Sequence, residues 1–139
     1  MKKEFIYKYR IRYADTDKMG VAYHGRYFEW FEAARTELMR ANGMSYDSLE
    51  DQGISLPVIE AQCRYVQSVQ YDEIVQIKTW IDDVTRSRLL IRYELFTKES
   101  GRPKAHGFTM HCYMNKQGRA VRAPHDLVEF FNKLLSKKK

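Results

Sequence analysis

Between Tyr27 and Ala41 the chain carries a segment that is apolar around most of its circumference, and that segment restricts the fold more than any other. Tyr27, Phe31, Ala34 and Leu38 recur at helical spacing, flanked by Phe28, Trp30, Ala33, Met39 and Ala41. A helix with so wide an apolar face must be wrapped by other structure rather than rest on a surface. Asn42-Gly43 supplies its C-terminal stop, because glycine adopts the left-handed conformation that ends a helix. A short second helix is expected from about Tyr46 to Gln52, closed by Gly53.

The rest of the chain supplies the wrapping. Residues 3–14 alternate loosely and are rich in Tyr, Ile and Phe, which reads as a strand. Residues 58–69 form a second candidate strand. In residues 74–82, Val75, Ile77, Thr79 and Ile81 alternate with Gln76 and Lys78. In residues 88–96, Leu89, Ile91, Tyr93 and Leu95 alternate with Arg92 and Glu94. In residues 105–114, Phe108, Met110, Cys112 and Met114 alternate with Thr109 and His111. Short turns at Thr85-Arg86-Ser87, Ser100-Gly101 and Gln117-Gly118 join these runs, so the sheet is antiparallel with one covered face. Pro124 suits a first helical position, and Leu127, Val128, Phe130, Phe131, Leu134 and Leu135 form one stripe of a closing helix. The expectation is a single α+β domain over residues 1–139, an antiparallel sheet curved around one long central helix.

Composition narrows the function classes. A net charge of +6 invites a nucleic-acid partner, but the charge is spread along the chain. Its one dense run, Lys137-Lys138-Lys139, reads as a solvated end. A modest positive field suits a polyanionic small molecule or an acidic carrier protein instead. Charges interrupt the N-terminal segment every few residues, so neither a signal peptide nor a membrane span is expected, and a cytoplasmic location follows. Cys63 and Cys112 have no metal-ligand spacing and read as reduced, half-buried thiols.

The chemistry concentrates in Tyr13-Ala14-Asp15-Thr16-Asp17-Lys18-Met19-Gly20-Val21-Ala22-Tyr23-His24-Gly25-Arg26-Tyr27. Two carboxylates precede a glycine turn, and a Tyr-His-Gly step then enters the apolar helix. A helix start offers unpaired N–H groups and the positive end of its dipole, which together stabilise an oxyanion. A carboxylate upstream, Asp17, then stands where it attacks the same carbonyl or activates a water. On spacing alone an Asp before a turn is more often a turn or capping residue, and Asp15 reads as shaping the loop. His24 at a helix start reads equally as a polar capping neighbour. Asp15 and Asp17 are not followed by further ligands at calcium-loop spacing, so no metal or cofactor is expected. No Gly-x-Ser-x-Gly is present, and adjacent strand residues His111 and Cys112 point to opposite faces, so no serine or cysteine nucleophile is expected.

This segment resembles the signature of the 4-hydroxybenzoyl-CoA thioesterase-like hotdog family, in particular the acyl-CoA thioesterase branch associated with the Tol-Pal gene cluster in bacteria. The family pattern Asp-x-Asp-x-x-Gly-Val-x-Tyr-His-x-x-Tyr is met by Asp15, Asp17, Gly20, Val21, Tyr23, His24 and Tyr27. The run Phe28-Glu29-Trp30-Phe31-Glu32-Ala33-Ala34-Arg35-Thr36-Glu37 is similar to the family's central helix. The resemblance implies a hotdog fold and hydrolysis of an acyl-CoA thioester. It implies Asp17 as nucleophile or general base, His24 in a secondary catalytic role, and the thioester carbonyl held by N–H groups at His24 and Gly25. Tyr23 and Tyr27 are implied to flank the substrate, and Arg86, Ser87 and Arg88 to meet the coenzyme A phosphates. It further implies a homodimer or homotetramer with the site between subunits, so that Arg86 and Arg88 serve the partner's Asp17.

Two departures bear on the acyl group. Gly25 stands where aromatic-substrate members commonly carry Pro, and Lys18-Met19 replaces a small apolar stretch. Short or medium aliphatic chains are therefore the expectation. Two rivals remain: a thioesterase acting on an acyl carrier protein, which the positive charge also suits, and a non-catalytic module that senses acyl-CoA.

Overall fold

The computed structural model describes residues 1–136. The lysine run Lys137-Lys138-Lys139 lies outside the described residues. Strand β1 (Glu4–Arg10) leads through a single 3-10 turn (Tyr13–Asp15) to helix α1 (Arg26–Ala41) and the short helix α2 (Tyr46–Asp51). Strands β2 (Val58–Tyr65), β3 (Ile74–Val84), β4 (Leu89–Thr97) and β5 (Ala105–His111) follow. A small ladder, β6 (Tyr113–Met114) with β7 (Ala120–Val121), and helix α3 (His125–Leu134) complete the chain. The five long strands form one antiparallel sheet in the order β1-β3-β4-β5-β2. This is the hotdog arrangement, with α1 lying against β1 and β3.

The central helix is buried as its sequence requires. Tyr27, Trp30, Phe31, Ala34, Leu38 and Met39 all face the core. Phe31 lies flat on Tyr93 of β4, ring centroids 4.3 Å apart and 5° from parallel. Removing a buried ring of this kind costs about 3–5 kcal/mol. Gly43 ends α1 at φ 88°, and Gly53 ends α2 at φ 78°, both in the left-handed region. Pro124 sits one residue earlier than expected, as the cap of α3 rather than its first helical residue. Among the described residues, no helix is long and apolar enough to cross a membrane.

The sheet corrects the reading of residues 105–114. One strand with Phe108, Met110, Cys112 and Met114 on the covered face is expected from the apolar alternation. Instead β5 ends at His111, and Tyr113 opens the separate β6–β7 ladder. The covered face carries Ala105, Thr109 and His111. Register decides the matter: Leu89, Ile91 and Leu95 of β4 point inward, and they lie opposite His111, Thr109 and Ala105. Phe108 faces the other side, where the Arg92 guanidinium lies 5.8 Å from its ring centroid.

Four buried polar residues on this face, His111, Thr109, Tyr93 and Arg35, form one hydrogen-bonded chain. His111 Nδ1 donates to the Leu56 carbonyl at 3.0 Å, so its Nε2 accepts from Thr109 Oγ1 at 2.8 Å. The Tyr93 hydroxyl then donates to Thr109 at 2.7 Å and accepts from the Arg35 guanidinium at 3.4 Å. Arg35 is thus an inward-facing charge in a helix otherwise read by its apolar stripe. Burial pushes the His111 imidazole down to about 4.

The first strand also stops sooner than its sequence pattern. Residues 3–14 read as one strand, but pairing with β3 ends at Arg10. Arg12 N–H turns instead to the Asp15 carboxylate. Likewise residues 58–69 read as one strand, and β2 ends at Tyr65.

Candidate active site

Asp15 and Asp17 lie in the loop between β1 and α1, and their surroundings separate their roles. Asp15 is buried, 5% exposed. Its Oδ2 accepts from the Tyr9 hydroxyl at 2.7 Å and from Arg12 N–H at 2.8 Å. Its Oδ1 lies 3.6 Å from Arg26 Nε. The Tyr9 hydroxyl is pushed up, by burial first and then by the Asp15 carboxylate it donates to. Asp15 therefore fixes the loop against β1 and the first turn of α1, as its sequence position suggests.

Asp17 is exposed. Its backbone N–H donates to Val21 O at 2.9 Å, its carbonyl accepts from Gly20 N–H at 3.1 Å, and its Oδ1 accepts from Met19 N–H at 2.8 Å. Gly20 closes this turn at φ 81°, a conformation that favours glycine. Oδ2 accepts from no group among the described residues, so half of the carboxylate is open to a substrate or a water. Thr16 bridges Ala22, and Tyr23 N–H donates to Asp15 O at 2.8 Å. These bonds tie the Asp17 turn to the residues that begin α1.

The helix start is the second half of the site. Arg26 N–H donates to Tyr23 O at 3.0 Å, and Tyr27 N–H to His24 O at 3.4 Å. The N–H groups of His24 and Gly25 donate to no group among the described residues, which leaves them available to an oxyanion. Gly25 has ordinary helical dihedrals, φ −66° and ψ −22°, so conformation does not demand glycine there. The glycine instead makes room for a ring: a Cβ at Gly25 would stand 2.6 Å from Cε2 of the exposed Tyr23, whose ring lies over this position. Any other residue would displace that ring.

Tyr23 and His24 are exposed and in ring contact at 4.4 Å. Tyr27 is buried, and burial pushes its hydroxyl up to about 12. Tyr65, at the end of β2, reaches across to the helix start. Its hydroxyl donates to the His24 carbonyl at 2.8 Å, and its ring meets Tyr27 edge-on at 4.7 Å. Nothing in the sequence pattern signals Tyr65, because the contact depends on where an edge strand ends against a helix start. Cys63 and Cys112 are free thiols, both half-buried, and burial pushes Cys63 up to about 11.

Tyr23, His24, Gly25 and Tyr27 thus gather at the helix start, to which the Asp17 turn is tied through Thr16–Ala22 and Asp15–Tyr23, and Arg86, Ser87 and Arg88 do not join them in the same chain. Those three form the turn between β3 and β4, while the Asp17 loop sits beyond the Ile74 end of β3. The 11 residues of β3 separate the two, roughly 35 Å at about 3.3 Å per residue. Arg86 is half-buried, with its Nε donating to Ala123 O at 3.1 Å; Ser87 and Arg88 are exposed. A concavity of about 570 Å³ lies between α2 and the turn after β6, lined by Glu50, Ile54, Met114 and Lys116 and not by Asp17. Asp17 and the helix start face open surface, rimmed by Met19, Tyr23, Tyr65 and Val66, each exposed.

The sequence pattern of the thioesterase-like superfamily matches residues 11–131. A solved DHNA-CoA thioesterase from Staphylococcus aureus superposes with a TM-score of 0.87 at 36% identity, covering 94% of this chain and 90% of that one. A hypothetical protein of Thermus thermophilus superposes with a TM-score of 0.88 at 31% identity, covering 96% and 99%. The acyl-CoA thioesterase YbgC of Haemophilus influenzae is 32% identical over 66% of this chain and 68% of its own length.

Proposed function

The chain belongs to the thioesterase-like superfamily and is an acyl-CoA thioester hydrolase, and from that premise we propose that Asp17 drives the reaction at the start of α1. One observation carries this reading. The open oxygen of Asp17 and the unpaired N–H groups of His24 and Gly25 belong to one hydrogen-bonded unit, tied through Thr16–Ala22 and Asp15–Tyr23. A thioester carbonyl set on the helix start has its oxygen at the donors and its carbon open to Asp17 or to a water that Asp17 deprotonates. Addition at the carbonyl carbon gives a tetrahedral oxyanion held by the donors, and its collapse breaks the C–S bond and releases coenzyme A as a thiolate; where Asp17 is itself the nucleophile, water then hydrolyses the mixed anhydride at the acyl carbon. A thiol loses its proton near pH 8.5, so the leaving group needs no strong general acid. The water oxygen ends in the product carboxylate. His24, exposed beside Tyr23, contacts the bound thioester in this arrangement and Tyr23 flanks it, while Tyr27, expected from the motif to do the same, is buried and supports the site from beneath through Tyr65.

The site is completed by a second copy of the chain. Strand β2 is an edge of the sheet and exposes Val58, Ile59 and Tyr65, with Val66 just beyond. Such an edge invites pairing. Val58 lies opposite His111, and His111 opposite Leu89, so the Arg86–Arg88 turn is at the Val58 end of β2. Tyr65 and the helix start are at the other end. Antiparallel pairing of two β2 edges across a two-fold axis brings each Val58 end beside the partner's Tyr65 end. Arg86, Ser87 and Arg88 of the partner subunit then approach the phosphates of a coenzyme A bound at Asp17. A homodimer is the minimum unit, and a homotetramer pairs two such dimers.

Within the superfamily we place the chain in the Tol-Pal-associated branch with a short or medium aliphatic acyl group, on the strength of the motif from Asp15 to Tyr27. The likeness to the staphylococcal enzyme supports an aromatic acyl group as the second reading. Free thiols at Cys63 and Cys112 suit a reducing cytoplasm. Thiol release from a panel of aliphatic, naphthoyl and hydroxybenzoyl thioesters of coenzyme A, with an acyl carrier protein thioester alongside, tests the reading. Turnover confined to coenzyme A thioesters supports it, and the chain profile names the acyl class. Turnover confined to the carrier protein reassigns the substrate. Binding without turnover makes the chain a sensor.

A further inference from the structure

We propose that Tyr65 is a positioning residue for the oxyanion site: its hydroxyl, bound to the His24 carbonyl, aims and polarises the Gly25 N–H that receives the thioester oxygen. This inference rests on the proposed reading of the helix start. The carbonyl of His24 and the N–H of Gly25 are two ends of one peptide plane. The peptide is trans, so these groups point in opposite directions and cannot rotate separately. Whatever holds the carbonyl therefore sets the direction of the N–H.

Within α1 and its approach, the His24 carbonyl is held only by Tyr27 N–H at a long 3.4 Å. The short bond is the one from Tyr65, at 2.8 Å. It comes from a different element, the end of β2, and is itself well fixed. The Tyr65 ring is wedged edge-on against Tyr27 at 4.7 Å, with the His24 ring 6.1 Å away. Tyr27 in turn packs on Trp30, and Trp30 on Tyr9, whose hydroxyl holds Asp15. One connected set of rings thus supports both the loop that carries Asp17 and the peptide that carries the donor. Burial raises the Tyr65 hydroxyl, and it remains a protonated donor throughout the neutral range. A donor on a peptide carbonyl draws charge toward that oxygen and strengthens the N–H at the other end. The effect grows as negative charge develops on the bound thioester oxygen, so it acts on the transition state more than on the bound substrate. Tyr65 touches no reacting atom in this arrangement.

Strand β2 is also the edge proposed to pair with a second copy. The clamp on the oxyanion peptide therefore hangs from the strand that assembly would hold rigid.

The test is Tyr65→Phe, which keeps the ring contacts and removes the hydroxyl. The expected result is a fall in kcat of about tenfold or more, set against the 10²–10³ lost when an oxyanion donor is removed outright, with KM for an acyl-CoA within about twofold. The second readout is the carbonyl stretch of a 13C-labelled acyl-CoA bound to the Asp17→Asn protein, whose slowed turnover leaves the bound thioester intact while the spectrum is recorded. Binding should lower that frequency, and adding Tyr65→Phe should reverse part of the shift. Site-specific 3,5-difluorotyrosine at position 65, a stronger donor that preserves the fold, should lower it further. A shift that is equal with and without the hydroxyl overturns the role of Tyr65 and leaves the oxyanion site standing. No shift in the Asp17→Asn parent overturns the oxyanion site itself, and Tyr65 with it.

Discussion

Asp15 and Asp17 stand two residues apart and serve opposite ends. Asp15 is enclosed by Tyr9, Arg12 and Arg26, whereas Asp17 keeps one local bond and an open oxygen. Asp15→Ala removes the charged acceptor of the half-buried Tyr9 hydroxyl and of the Arg12 N–H, and a hydrogen bond to a charged group is worth about 1.5–3 kcal/mol. Chemical denaturation should therefore show Asp15→Ala destabilised by about 2 kcal/mol or more, and Asp17→Asn unchanged. An unaltered midpoint for Asp15→Ala would remove its structural role. His111 makes a second prediction. It folds as a neutral group with its value lowered to about 4, against about 6.5 when unfolded. Above about 6.5 both states are neutral and the fold keeps its full stability. As pH falls from about 6.5 to 4, only the unfolded chain takes up the proton, so stability falls by about 3 kcal/mol. A proton on Nε2 also turns the acceptor of the Thr109 bond into a donor, against the direction of the chain of hydroxyls. Stability measured against pH should lose most of this slope in His111→Gln, and an equal slope in both proteins contradicts the assignment.

At the scale of elements, the same residues mark what sequence could and could not show. The central helix, the turn glycines and the strands β3 and β4 are legible because their apolar periods coincide with burial: Val75, Ile77, Ile81, Leu89, Ile91 and Leu95 all face the core. The period misleads at β5, where the covered face takes Thr109 and His111. A polar residue can face inward where Tyr93 and the Leu56 carbonyl meet it, and no local pattern records those distant partners. The site divides in the same way. Asp17, Tyr23, His24 and Gly25 fall within one stretch and are legible as a motif, whereas Tyr65 arrives from 41 residues beyond His24 through the sheet. Gly107 is a further case. A Cβ there would fall 2.0 Å from the Gln62 backbone oxygen, where β2 crosses against β5. Gly107→Ala must push the two strands apart, at about 3 kcal/mol or more. Because the strand displaced is the one ending in Tyr65, thiol release should fall with stability. A variant as stable as the parent would show that β2 can shift freely.

For the whole molecule, the sheet places the Asp17 loop and the Arg86–Arg88 turn at opposite ends, so the proposed site needs two chains. Ile59→Lys introduces charge on the exposed β2 edge, and sedimentation should show monomers with little activity. Mixed subunits test the arrangement more sharply. Arg88 is exposed and Arg86 anchors Ala123, so Arg88→Ala is the cleaner probe of phosphate binding. It should raise KM for acyl-CoA while leaving kcat nearly intact. In a dimer of one Asp17→Asn chain and one Arg88→Ala chain, one site combines the intact Asp17 with the intact Arg88. Such mixtures should recover the parent's low KM, and a failure to recover it would place both residues in one chain's site. The charge and the fold both serve this reading: a basic surface draws in a polyanionic substrate, and a sheet edge supplies the second half of its site.

Every role proposed at the helix start depends on the Asp17 carboxylate driving thioester hydrolysis. The direct test is thiol release from the best acyl-CoA of the panel, measured on the parent and Asp17→Asn proteins after confirming equal substrate binding. If the Asp17 carboxylate drives the reaction, kcat falls about 10³-fold with the fold and binding unchanged. Turnover within about tenfold of the parent would contradict it.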